Sequence, residues 1–143
     1  MKQIHFVCYG NVYRSRMAEA YFNSRQISDW TASSSGVHAA EMEIAIAPSA
    51  VEVLTENGIF RYASPMWTRS TKEMLETADV VVFLHNIVYE KCLDELAPAL
   101  QKFYVWSVED AYPSMMTKEQ VEIAAHKAFS EIVDNVNKLL ETL

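Results

Sequence analysis

Ile4-His5-Phe6-Val7-Cys8-Tyr9-Gly10-Asn11-Val12-Tyr13-Arg14-Ser15-Arg16-Met17-Ala18-Glu19-Ala20-Tyr21-Phe22 passes from a β-prone apolar run, through a turn, into a helical pattern. Ile4 to Cys8 suits a short strand, Tyr9-Gly10-Asn11 is a turn signal, and Met17, Ala18, Tyr21 and Phe22 share one helical face. Ser15 reads as the N-cap, with Glu19 early in the helix where its charge suits the dipole. A strand joined to a helix by so short a loop opens an α/β unit. Outward from it the alternation continues, with a strand at 30–34 closed by Ser35-Gly36 and a helix from Pro48 to a stop at Asn57-Gly58. After an irregular stretch at 60–69, Ser70 or Thr71 caps a short helix through Leu75, followed by a strand at 80–84. A helix at 88–96 and a strand at 103–106 come next. From Thr117 onward Val121, Ala124, Ala125, Ala128, Ile132, Val136, Leu139 and Leu143 follow helical spacing. The 80–84 run, Val-Val-Val-Phe-Leu, is apolar without alternation, as a strand covered on both faces should be. The fold class expected is α/β: a parallel sheet flanked by helices on both faces, in a single three-layer domain spanning 1–143.

The chain has 143 residues and a formal charge of −7, from 12 basic and 19 acidic side chains. That size buries a real core without staples, and no apolar run approaches the roughly 20 residues that span a bilayer. The acidic balance argues against nucleic acid and anionic membranes as partners. Cys8 and Cys92 are too few for a disulfide framework, and the opening residues lack a signal peptide's basic start and apolar core. A reduced, cytoplasmic setting is the expectation. His5, His38, His85 and His126 show no metal-ligand spacing, so neither metal nor cofactor is expected. The only glycines are Gly10, Gly36 and Gly58, and such scarcity points to places where the backbone needs them.

Cys8 to Ser15 forms a C-x5-R-S loop between strand and helix. Five intervening residues let the chain wrap a tetrahedral oxyanion with successive amides pointing inward, and the following helix adds its positive end. Gly10 and Asn11 tolerate the left-handed backbone such a wrap needs. Arg14 closes the ring as a fork on two phosphate oxygens. The same groups favour the thiolate of Cys8, making it a nucleophile that Ser15 can hydrogen-bond. The plainer alternative is a buried strand-end cysteine followed by an ordinary capped helix.

The run from His5 to Ala20 resembles the opening of the low-molecular-weight protein tyrosine phosphatases. The likeness extends through Ser35-Gly36, the block Thr71 to Leu84 with Asp79 opening its strand, and Val108-Glu109-Asp110-Ala111-Tyr112, which looks like the family's acid loop. The resemblance implies a four-stranded parallel sheet and a metal-free reaction in two steps. Cys8 attacks phosphorus while Asp110 protonates the departing oxygen, and Asp110 then activates water against the phosphocysteine. By its spacing alone Glu109 would serve as the acid equally well; the family position selects Asp110. Arg14 and the amides of Tyr9, Gly10, Asn11, Val12, Tyr13 and Ser15 hold the phosphoryl group, and Tyr112 stacks on a substrate ring. The implied partners are a phosphotyrosine protein or small aryl phosphate, with inorganic phosphate as product.

The chain also departs from the family. Tyr13 replaces a second loop cysteine, Arg16 a proline after the Arg-Ser pair, and Ala111 a proline in the acid loop. The segment 37–43 lacks the aromatic and glycine of a second pocket wall. A histidine that helps hold the loop asparagine has no match in 60–67, leaving Asn11 with Ser35 as its expected partner. Two further readings follow: a phosphate- or phosphopeptide-binding module with little turnover, and a thiol-coupled arsenate reductase. The latter needs a pair of cysteines, where this chain has His85 and Cys92.

Overall fold

The computed structural model describes residues 1–39 and 44–143. The strands β1 (Lys2–Cys8), β2 (Trp30–Gly36), β3 (Val80–Phe83) and β4 (Phe103–Val105) form one parallel sheet in the order β2-β1-β3-β4. Around it stand α1 (Arg14–Ser24), α2 (Pro48–Glu56), α3 (Lys72–Thr77), α4 (Asn86–Leu96) and α5 (Lys118–Leu140). The expected α/β layering is therefore present, with β2 running two residues past its expected end. The stretch expected to be irregular contains a single 3-10 turn, Phe60–Tyr62. Residues 40–43, most of the segment read as lacking a pocket wall, lie outside the described residues. No helix among the described residues is long and apolar enough to cross a membrane.

Alternation within the strands explains the two cores. Ile4 and Phe6 of β1 and Val80 and Val82 of β3 pack with Met17, Phe22, Leu54, Ile132 and Val136 of α1, α2 and α5. Val7, Val81 and Phe83 point the other way, toward Leu75 of α3 and Val88 and Cys92 of α4. With both faces covered, β3 has no polar side, so its sequence shows no alternation. Helix ends follow local chemistry. Thr117 and Gln120 close a reciprocal capping box at the start of α5. The His85 ring accepts from the Ile87 amide at 3.2 Å and starts α4 two residues before the expected 88. Because α5 ends at Leu140, Leu143 lies beyond the apolar stripe to which its spacing assigned it.

The chain leaves β1 for β2 on one side and then crosses to β3 on the other. The carboxyl end of β1 is thus the topological switch point, where open α/β sheets bind ligands. Cys8 is its last residue.

His5 lies buried beneath this point, its ring 2.7 Å from both Ser33 Oγ and Ser35 Oγ. Burial lowers its pKa from 6.5 to about 4. The unfolded chain therefore takes up a proton between these values while the folded chain resists it. This stability is fully present above pH 6.5 and is lost as pH falls toward 4. Between pH 6.5 and 5 the loss should reach about 1.5 kcal/mol. Urea unfolding across that interval should show it, and His5→Gln should flatten the slope; parallel profiles would contradict the assignment.

Candidate active site

The loop after β1 turns on Asn11, whose φ of +56° places it in the left-handed region. Its side chain is buried and fully used. Nδ2 donates to Ser15 Oγ at 2.7 Å and to Ser34 Oγ at 3.0 Å, while Oδ1 accepts from the Thr68 amide at 2.8 Å. The loop carbonyls are drawn outward. Those of Cys8, Tyr9 and Val12 accept from the amides of Val37, His38 and Ala47, at 2.8–3.0 Å. The Asn11 carbonyl accepts from Arg16 Nη1 at 3.1 Å. Outward carbonyls leave the inner rim of the loop to its N–H groups, the arrangement an oxyanion needs. The Asn11 amide already points at Cys8 Sγ, 3.2 Å away, and Ser15 Oγ lies 2.9 Å from the same sulfur.

Structure corrects three expectations here. Ser15 is not the N-cap: α1 begins at Arg14, its N-cap Tyr13 makes no side-chain cap bond, and the Ser15 hydroxyl serves Cys8 and Asn11 instead. The start of α1 therefore carries no side-chain cap. Glu19 lies beyond the first turn of the helix and is buried, accepting from Ser34 Oγ and from the Ser64 amide, the latter at 2.6 Å. Asn11 bonds Ser34, not Ser35, because alternation along β2 turns Ser33 and Ser35 toward His5. The backbone amide of Thr68 holds Asn11 Oδ1. Such a backbone donor leaves no mark in a sequence.

Arg14 is buried and stands beside Asp110. Its Nη1 donates to the Val108 carbonyl at 3.0 Å and its Nη2 to Asp110 Oδ2 at 3.2 Å. Asp110 Oδ1 accepts from the Ala111 amide at 2.9 Å. A residue 96 positions from Arg14 thus closes the site. Cys8, Tyr9, Gly10, Val12, Tyr13, Arg14, Asp110 and Tyr112 all line one cavity of about 340 Å³. Asn11 and Ser15 stand behind it as its frame. Ile44, Ala47 and Pro113 complete an apolar wall that the sequence reading missed, since small apolar residues in loops carry no signal of their own. Tyr13 is buried, and burial first, then the Asp110 charge, pushes its phenol up to about 12, so its hydroxyl stays protonated.

A family model described as low molecular weight phosphotyrosine protein phosphatase matches residues 3–143. The chain belongs to this family. A low molecular weight protein tyrosine phosphatase structure from T. tengcongensis superposes with a TM-score of 0.79 at 29% identity, covering 100% of both chains. The YwlE arginine phosphatase from Geobacillus stearothermophilus gives a TM-score of 0.77 at 26% identity over 99% of this chain and 94% of that one. A protein named arsenate reductase from Shouchella clausii is 30% identical over 141 residues, 99% of this chain and 96% of its own length.

Gly36 shows how tightly this phosphatase fold holds its loop. A Cβ built there would fall 2.6 Å from the Asn11 amide nitrogen and 2.7 Å from both the Gly10 carbonyl carbon and the Tyr9 oxygen. All three are backbone atoms, so the loop itself would have to move. Misplacing catalytic groups by about 1 Å costs on the order of 100-fold in rate. Gly36→Ala should therefore lower kcat/KM for an aryl phosphate at least that far while circular dichroism stays native-like; near-normal turnover would contradict the packing.

Proposed function

We propose that this enzyme hydrolyses phosphotyrosine in proteins, or small aryl phosphates, through a phosphocysteine intermediate. The observation that carries the reading is the convergence of Cys8, Arg14 and Asp110 on one cavity whose loop carbonyls are turned outward. An entering phosphate meets the loop amides and draws the Arg14 guanidinium into a fork on its oxygens, replacing the Asp110 contact. Cys8 Sγ attacks phosphorus, the S–P bond forms as the P–O bond to the phenol breaks, and Asp110 delivers the proton to the departing oxygen. Water then attacks phosphorus, Asp110 takes its proton, and inorganic phosphate leaves as the Ser15 hydroxyl supports the returning thiolate. The amides and Arg14 bear the charge on the transferring group throughout. Val12, Tyr13, Ala47 and Pro113 favour an aromatic ring over an alkyl chain, and the exposed ring of Tyr112 is placed to stack on it.

The relatives named arsenate reductases motivate a second reading. A relay through Cys92 fits this chain poorly. That thiol is fully buried in the core on the other face of the sheet, and burial pushes it up to about 12. Arsenate reduction would have to draw on an external thiol.

Kinetics on a phosphoester panel separate the readings. Cys8→Ser should abolish hydrolysis. Asp110→Ala should slow substrates with phenol leaving groups by about 10²–10⁴-fold, and those with more acidic leaving groups by less. Sustained turnover by Cys8→Ser would overturn the mechanism. Tight phosphate binding without turnover of any ester would favour a binding module, and glutathione-dependent arsenate reduction by the wild type would favour the reductase.

A further inference from the structure

A second cavity, of about 260 Å³, adjoins the first. The two share Tyr9, Arg14, Asp110 and Tyr112, so the Arg14–Asp110 pair forms the partition between them. Beyond it the walls are Ile87 and Val88 at the start of α4, with His85 and Glu109 as the polar groups. Glu109 is 74% exposed and its carboxylate lies 3.5 Å from His85 Nε2.

We propose that this cavity is a subsite for a lysine or arginine side chain lying one or two residues from the phosphorylated tyrosine of a protein substrate. The proposal rests on the phosphatase reading, which places that tyrosine in the Cys8 cavity. Three features point to a long cationic side chain. The volume, below the usual range for a separate small-molecule ligand, has room for one side chain. Its apolar lining from Ile87 and Val88 suits an aliphatic stem, as lysine and arginine bury their stems while keeping the charge in water. Its outer carboxylate, Glu109, stays largely exposed beside the His85 ring and so open to a substrate cation. Arg14 and Asp110 neutralise each other, and in the substrate complex Asp110 carries the proton that it delivers, so Glu109 at the mouth is the carboxylate left to meet a cation. The Tyr112 ring on the shared wall adds an attractive face for a cation. A glutamate in the substrate would meet the like charge of Glu109.

Matched phosphotyrosine peptides carrying Lys, Leu or Glu at each of the two positions on either side of the tyrosine test this directly. At one of those positions Lys should exceed Leu by about fivefold in kcat/KM, with Glu below both. Glu109→Gln should reduce the Lys preference, and Glu109→Lys should reverse it. Equal rates for Lys and Leu at every position, or a preference for Leu or Glu, would overturn the subsite. Hydrolysis of none of the peptides would overturn the phosphatase reading instead. The subsite is then read from peptide Kd on the Cys8→Ser protein, where a Lys-to-Leu ratio near one overturns it.

Discussion

Everything at the carboxyl end of the sheet depends on one residue held in a left-handed conformation. Asn11, at φ +56°, is kept there by bonds to Ser15, Ser34 and the Thr68 amide. Such a φ is disfavoured for side chains with a Cβ and persists where the surroundings over-determine it. Those surroundings are themselves braced. Glu19 receives Ser34 and Ser64, and Arg16, almost wholly buried, donates to the carbonyls of Asn11, Ala45 and Ser64. Arg16 and Glu19 thus link the loop to two neighbouring segments through a single buried network.

Arg14 connects that frame to the chemistry. It starts α1, yet its guanidinium reaches the carbonyl of Val108 and the carboxylate of Asp110, so phosphate loop and acid loop share one side chain. In the proposed reaction an anion that engages Arg14 loosens its hold on Asp110, which couples phosphate binding to proton transfer. The formal charge of −7 is no obstacle to an anionic substrate. Net charge sets the far field, whereas amides, a helix end and a buried guanidinium act within a few ångströms in a poorly solvated pocket.

The loop and the layering were legible in the sequence because each depends on local pattern. The spacing of Cys8, Arg14 and Ser15 carries the anion loop, and the unbroken apolar run at Val80 carries a doubly covered strand. Asp110, which the structure sets beside Arg14, was singled out only through family resemblance, because nothing in the residues themselves separates it from Glu109. What escaped was set by tertiary contact. Whether Ser34 or Ser35 meets Asn11 depends on which face of β2 looks inward, and Thr68 contributes a backbone amide. Glu19, placed by propensity near the helix start, is claimed by Ser34 and Ser64 instead. Ser15 has the character of a cap and serves instead as a partner of the Cys8 sulfur.

The direct test of the clamp is the affinity of the folded protein for orthovanadate, which fills the oxyanion site without any chemical step. Calorimetric titration should show Asn11→Ala binding it at least about tenfold more weakly than wild type, as expected from losing charge-assisted loop amides, with the thermal transition still cooperative. Equal affinity in the two proteins would mean that the left-handed clamp at Asn11 does not hold the anion site.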